Sequence, residues 1–123
     1  MDYFAPVDEM LFQLEHICNI KKLQAYERYE ALDIITIKSI LGEASKLSSK
    51  VIAPLNKTGD LVPPRKDGDD VICSPGFLEA YGAISSGGWV GMLGSEEFGG
   101  MDLPAVVGSC VNEMLGSACL ALA

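Results

Sequence analysis

Gly88-Trp89-Val90-Gly91-Met92-Leu93-Gly94-Ser95-Glu96-Glu97-Phe98-Gly99-Gly100 is the stretch on which the reading of this 123-residue chain turns. Five glycines, two adjacent carboxylates and the only tryptophan fall within it, between two segments of helical periodicity. Glycine loses more backbone freedom on ordering than any other residue. This density is therefore costly unless the backbone needs left-handed dihedrals or a very close approach. A bare linker has no use for the single Trp, so the stretch is expected to hold one shape, with Trp89 as an anchor at its base.

The same stretch is a weak candidate for chemistry. It contains neither G-x-G-x-x-G after a strand nor G-x-x-x-x-G-K-[ST], so its glycines do not read as a phosphate cradle. Glu96 and Glu97 are neighbours in sequence, and neighbours rarely converge as general acid/base pairs must. His16 has no nucleophile partner in a recognisable motif, and no serine sits in a nucleophile elbow.

Helical patterns flank the stretch. Val7, Met10, Leu11, Leu14, Ile17 and Cys18 recur at i, i+3, i+4 and i+7, predicting a helix over 7–18. Residues 19–31 read as a connection with at most a short helical turn. Ile37, Ile40, Leu41, Ala44, Leu47, Val51, Ile52 and Leu55 form a stripe of period 3.6 over 33–56. Asp33 is placed to cap it, and Pro54 to kink or end it near Ala53. Residues 57–73 read as a solvated loop with a short extended pair at Leu61-Val62 and Val71-Ile72. Ser74-Pro75 predicts an N-cap and first helical position, Phe77, Ala80, Tyr81 and Ile84 an inward face, and Gly87-Gly88 the stop. Pro104 opens a last helix, with a stripe of Val107, Cys110, Val111, Met114, Leu115, Ala118 and Leu122. Its other faces are also mostly apolar or small, and Glu113 is its only charge. A helix apolar nearly all round expects burial on most sides. With no stop signal before Ala123, the pattern is read as a piece of something larger whose exposed apolar face would drive association. Asn112-Glu113 and two glycines argue against a membrane span.

Composition bounds the rest. The net charge of −8 and pI near 4.4 leave no Lys/Arg face for nucleic acid or anionic membrane. The four cysteines lack C-x-x-C spacing and His16 is the only histidine, so no metal site is expected. Cys18, Cys110 and Cys119 fall in apolar patterns and read as reduced, buried thiols. No signal peptide, transit peptide or internal repeat is evident. The expected fold is all-α: a helical bundle with a short irregular or extended loop between helices.

The order of these features resembles the N-terminal helical domain of the acyl-CoA dehydrogenase family, over most of the chain. The long helix ends in Val51-Ile52-Ala53-Pro54-Leu55-Asn56, with Asp60 beyond. A second helix begins near Pro75-Gly76-Phe77 and leads to the turn Gly88-Trp89-Val90-Gly91. The family's Pro-Glu-x-aromatic-Gly-Gly is similar to Ser95-Glu96-Glu97-Phe98-Gly99-Gly100, with Ser95 in place of proline. Asn112-Glu113-Met114-Leu115 fits the last helix. Tyr3, Ala5-Pro6-Val7-Asp8-Glu9-Met10-Leu11-Phe12, Leu14 and His16 resemble an N-terminal extension in a bacterial subgroup of 3-methylmercaptopropionyl-CoA dehydrogenase-like enzymes.

The resemblance implies an extension helix and connection over 1–31 and the family's N-terminal α domain over 32–123. It implies a cytoplasmic bacterial flavoenzyme of fatty acid metabolism, an oxidoreductase that desaturates acyl-CoA thioesters. A carboxylate takes the α-proton and FAD accepts the β-hydride. Both belong mainly to a middle β domain and a C-terminal helical domain. No catalytic residue and no FAD binding are therefore expected of this chain alone. Cys119, Leu122 and Ala123 are expected to begin the wall of the acyl pocket. Gly88, Trp89, Gly91, Glu96, Phe98, Gly99 and Gly100 are expected to be structural. The implied partners are the remaining domains of the parent enzyme, acyl-CoA, electron-transfer flavoprotein and further copies of the parent in a homo-oligomer. The rival expectation is a small helical interaction module without enzymatic activity. A disulfide-stabilised extracellular domain is a more distant one.

Overall fold

A computed structural model describes residues 2–123. Five α-helices are α1 (Val7–Phe12), α2 (Ile34–Leu47), α3 (Leu55–Leu61), α4 (Phe77–Ser86) and α5 (Ala105–Ala118). The only sheet among the described residues is an antiparallel hairpin, β1 (Arg65–Asp67) with β2 (Asp70–Ile72). The all-α expectation is met. α1 and α2 both continue as a π-helical turn, Gln13–Ile17 and Ser48–Ile52. Short 3₁₀ segments, Ile20–Ala25 and Glu27–Tyr29, fill the predicted connection.

One core holds the bundle. Ile37, Leu41 and Ala44 of α2 are buried with Val107, Val111 and Met114 of α5, and α2 packs on both α1 and α5. Met10, Leu14 and Ile20 join this same core, so the first helix and the connection are packed onto the rest. Asp33 caps α2 as its sequence position predicts: the Thr36 amide donates to Asp33 Oδ1 at 2.7 Å. That bond from the Thr36 backbone holds the carboxyl below its ordinary pKa of 3.8. A depressed folded-state value stabilises above the ordinary value, and the contribution is lost as pH falls through the lowered one. Asp33→Ala is accordingly expected to lower the melting temperature at pH 7. Asp33→Asn keeps an acceptor and loses only the charge, so its melt should converge with the native one as pH falls through the lowered Asp33 value, beneath the ordinary 3.8. Equal native and Asp33→Ala melts at pH 7 would refute the cap.

Several local expectations are corrected. Pro54 ends the long helix at Ala53 as expected, but the chain resumes at once as α3 through Leu61, where a loop from residue 57 was expected, because proline is compatible with the start of a helix. The hairpin partner of Val71-Ile72 is Lys66-Arg65, not Leu61-Val62, because α3 consumes Leu61 and Gly68 supplies the positive φ of the turn. Gly76, not Ser74, precedes α4, and the Ser74 hydroxyl is buried without a partner. Tyr81 points outward, as do Ile17 and Cys18, which lie at the end of the π turn rather than on the packed stripe. Cys73 is exposed too, and Cys110 is half-buried, so Cys119 alone is a fully buried thiol; all four are free.

The last helix is corrected most. Val107, Gly108, Val111, Met114, Leu115 and Ala118 are buried within this chain, while Ser109, Asn112, Glu113 and Ser117 face solvent. These four polar positions recur at helical spacing, so α5 does have a polar face. Small side chains hide it from a hydropathy reading, and the expectation that its apolar surface drives association falls with it. The helix also ends within the chain: Cys119 is extended (φ −159°), and the Leu122 and Ala123 amides turn back onto its carbonyl at 3.1 and 3.2 Å.

Candidate functional site: an apolar groove beside the glycine loop

The glycine-rich stretch is a closed loop. α4 stops where the Gly87 amide donates to Ala83 O and the Gly88 amide to Ser85 O, and Gly88 takes φ +79°. Trp89 follows immediately in a 3₁₀ turn, with its indole so close to Gly87 that a Cβ there would lie 2.7 Å from Nε1. The chain then returns along itself: the amides of Met101, Leu103 and Asp102 donate to the carbonyls of Gly91, Met92 and Gly94. This return brings Gly100 against Gly91 and Gly94, backbone on backbone, where no side chain fits. The glycines thus divide into two uses. Gly88 and Gly99 supply positive φ, and Gly100 supplies the close approach, packed on the backbone of Gly91 and Gly94. Outside the loop, the Arg28 guanidinium pairs with the Asp102 carboxylate and ties the connection to the return strand of the loop.

A groove of about 330 Å³ runs where α4, the loop, α5 and the C-terminal turn meet. Ile84 and Tyr81 come from α4, Trp89, Met92 and Leu93 from the loop, Asn112 and Leu115 from α5, and Leu122 and Ala123 from the turn. Gly108 lets Leu93 lie on α5, since a Cβ there would meet Leu93 Cδ2 at 2.5 Å. The lining has no charged side chain; Tyr81 carries its hydroxyl, Asn112 its side-chain amide and Trp89 its indole N–H. Such a surface suits an alkyl or other apolar group with one polar handle. It has no Lys, Arg, Ser or Thr to hold a pyrophosphate and no carboxylate to take a proton.

Two of the three residues expected at a pocket wall, Leu122 and Ala123, line this groove; Cys119 does not, being fully buried behind the turn. Trp89 also lines it, while Gly88, Gly91, Gly99 and Gly100 shape the loop. Glu96 and Phe98 sit in the 3₁₀ turn Glu96–Phe98, capped by the Ser95 hydroxyl at 3.3 Å from the Glu97 amide. Phe98 is 84% exposed and touches no core. Glu96 faces a different cavity, with Arg28 and Asp102. No cluster of three His, Cys, Asp or Glu able to hold a metal occurs among the described residues. Sequence periodicity missed Met92, Leu93 and Asn112, which the loop and the polar face of α5 deliver rather than any apolar stripe.

No protein-family model matches the chain. It is 31% identical over 118 residues to the 3-methylmercaptopropionyl-CoA dehydrogenase of Ruegeria pomeroyi, a match covering 96% of this chain. It is 27% identical over 118 residues to the broad-specificity linear acyl-CoA dehydrogenase FadE5 of Mycobacterium tuberculosis, covering 94% of this chain. The chain is similar to acyl-CoA dehydrogenases along almost its whole length. The resemblance carried by the glycine loop and the helices around it thus agrees with whole-chain comparison. The chain spans only about a fifth of each relative, 20% and 19% of their lengths. No helix among the described residues is long and apolar enough to cross a membrane.

Proposed function

We propose that this chain acts as the N-terminal helical domain of an FAD-dependent acyl-CoA dehydrogenase and supplies one apolar wall of its acyl pocket. The observation that carries the reading is the 31% identity to the Ruegeria pomeroyi enzyme over 96% of this chain and 20% of that one. In such an enzyme the flavin supplies hydride acceptance at the acyl β-carbon. The groove residues contribute exclusion of water from the acyl chain: Trp89, Met92, Leu93, Leu115 and Leu122 offer it methylene and ring contacts, and Asn112 and Tyr81 stand at its polar edge. Burial of each alkyl CH₂ there contributes about 0.8 kcal/mol. Cys119 supports this wall from behind. The carboxylate base and the flavin contacts are assigned to the rest of the enzyme, since the groove's lining fits neither role. Electron-transfer flavoprotein as acceptor, assembly of the parent into a homo-oligomer and a cytoplasmic site of action belong to the same proposal.

The purified chain is expected to show no flavin absorbance and no turnover of acyl-CoA with an artificial electron acceptor. A chimaera in which this chain replaces the matching segment of the Ruegeria pomeroyi enzyme should retain that enzyme's flavin absorbance and its turnover of acyl-CoA. Stoichiometric flavin in the isolated chain would overturn the division of labour. A folded, flavin-loaded chimaera whose acyl-chain preference ignores Leu115→Ala and Leu122→Ala would overturn the groove's role.

A further inference from the structure

The connection between α1 and α2 has a cavity of its own, about 530 Å³, on the side of the molecule where α5 begins. Ile20, Leu23, Tyr26 and Tyr29 recur every third residue through the two 3₁₀ segments, and all four line it. Three residues make one 3₁₀ turn, so side chains at this spacing stand in a row. Ile20 anchors the row in the core, while Tyr26 stays 63% exposed. Asn19, left-handed at φ 51° and ψ 54°, turns the chain out of the π-helical turn and into the row. Its short polar side chain makes that conformation accessible. Across the cavity stand Pro104, Ala105 and Val106, none long enough to fill it. Tyr29 is held by the Arg28 guanidinium, 5.5 Å from its ring centroid and itself paired with Asp102. Arg28 and Asp102 line the neighbouring cavity and not this one.

Charge selects the occupant. The chain carries 17 Asp and Glu and a net charge of −8, yet no carboxylate lines this cavity. Lys22 is its one charged side chain and joins no ion pair among the described residues. The Tyr26 and Tyr29 hydroxyls add O–H donors beside it. We propose that this cavity binds an aryl monocarboxylate, its ring against Tyr26, Tyr29 and the aliphatic side chains and its carboxylate on Lys22. One ammonium balances one negative charge, whereas a phosphate or pyrophosphate calls for the bidentate or clustered cations that are absent from the lining. Two tyrosines favour a ring over an alkyl chain, because offset or edge-to-face contacts add to the burial of area. The volume lies within the range of about 300–1,000 Å³ usual for small-molecule sites. This site shares no residue with the groove beside the glycine loop and does not rest on the dehydrogenase reading.

Cys18 reports occupancy, because its free, exposed thiol lines the cavity. Cys73, exposed just after β2, is the internal control, and Trp89 reports binding in the other groove. Phenylpropionate should slow alkylation of Cys18 by iodoacetamide in a saturable way, with the Cys73 rate and the Trp89 emission unchanged. Neutral phenylpropionamide and the alkyl acid octanoate should each protect only at higher concentration. Lys22→Gln, at an exposed position, should keep the native circular dichroism and raise the half-protecting concentration about tenfold, the weight of one hydrogen bond to a charged group. Tyr26→Leu should also raise it for phenylpropionate and leave that for octanoate nearly unchanged. Absence of protection, equal protection by phenylpropionamide or octanoate, or a Lys22→Gln protein protected like the native one would overturn the proposal. So would a Trp89 shift with Cys18 unprotected, which would put the acid in the groove instead.

Discussion

Gly100→Ala is expected to disrupt the glycine loop more than any other alanine placed at a glycine of this chain. A Cβ at Gly100 would fall inside the Gly94 carbonyl group and 2.7 Å from Gly91 O. Both are backbone atoms, held by the hydrogen bonds that Met101 and Asp102 donate, so no rotamer change relieves the clash. Overpacking against yielding side chains costs about 1–3 kcal/mol, and a backbone obstacle places this substitution at or beyond the upper end. Gly42→Ala is the counterpart. It lies inside α2 with nothing within 4 Å of the added methyl, where alanine is favoured over glycine by about 1 kcal/mol. Urea denaturation should therefore move the two midpoints in opposite directions at unchanged slope. Trp89 is the only tryptophan and sits at the base of the loop, so its emission in Gly100→Ala should shift to the red. A Gly100→Ala protein as stable as the native one, with unshifted emission, would mean that the Gly91–Gly94–Gly100 contact does not form.

The same contact explains why the loop was legible in outline and not in detail. Glycine density and the single Trp announce an ordered loop, but they do not say which glycine serves dihedral freedom and which serves packing. That division depends on where the chain returns, and the return is set by three backbone hydrogen bonds from residues 101–103. The helices behave similarly. The stripe from Ile37 to Leu47 and its Asp33 cap are local properties of sequence and appear where periodicity puts them, whereas in the π turn beyond, Ser48 and Ile52 are buried and Val51 is exposed. The polar face of α5 and the exposure of Tyr81, Ile17 and Cys18 depend on which side faces α2, a tertiary choice that side-chain hydropathy cannot make when small residues occupy both faces. The groove is the extreme case. Its lining comes from four separate segments; Trp89 stood out from local order, and Leu122 and Ala123 only from the family resemblance. Tyr81 and Ile84 were assigned to a packed face, and Met92, Leu93 and Asn112 carried no signal.

Leu41→Ala is expected to be the most damaging of the core truncations at the α2–α5 interface, and it tests the stripe itself. Leu41 has no solvent exposure, nor do its packing neighbours Ile37, Ala44, Val107, Val111 and Met114 in the same core. Backbone at α2 is fixed by regular helical hydrogen bonds, so the site cannot collapse around the missing atoms. Leucine-to-alanine changes in such settings cost about 2–5 kcal/mol, the lost transfer energy plus the cavity left behind. A whole domain is stable by only about 5–15 kcal/mol, so this one side chain decides whether the bundle stays folded at elevated temperature. Ile35 stands on the same helix and is 72% exposed, so Ile35→Ala should leave the midpoint nearly unchanged. The pair separates burial from helix propensity, because alanine is the better helix former at both positions and would otherwise stabilise both. The loss should also reach the groove. α5 carries Val111 and Met114 into the core and Asn112 and Leu115 to the groove, so slack at Leu41 loosens the helix that forms one side of it. Relative to the native protein, Leu41→Ala should accelerate hydrogen exchange of α5 amides and leave that of the exposed hairpin, whose residues share none of this core, nearly unchanged. Equal destabilisation by Leu41→Ala and Ile35→Ala would refute the assignment of α2's buried face, and with it the packing that positions the groove.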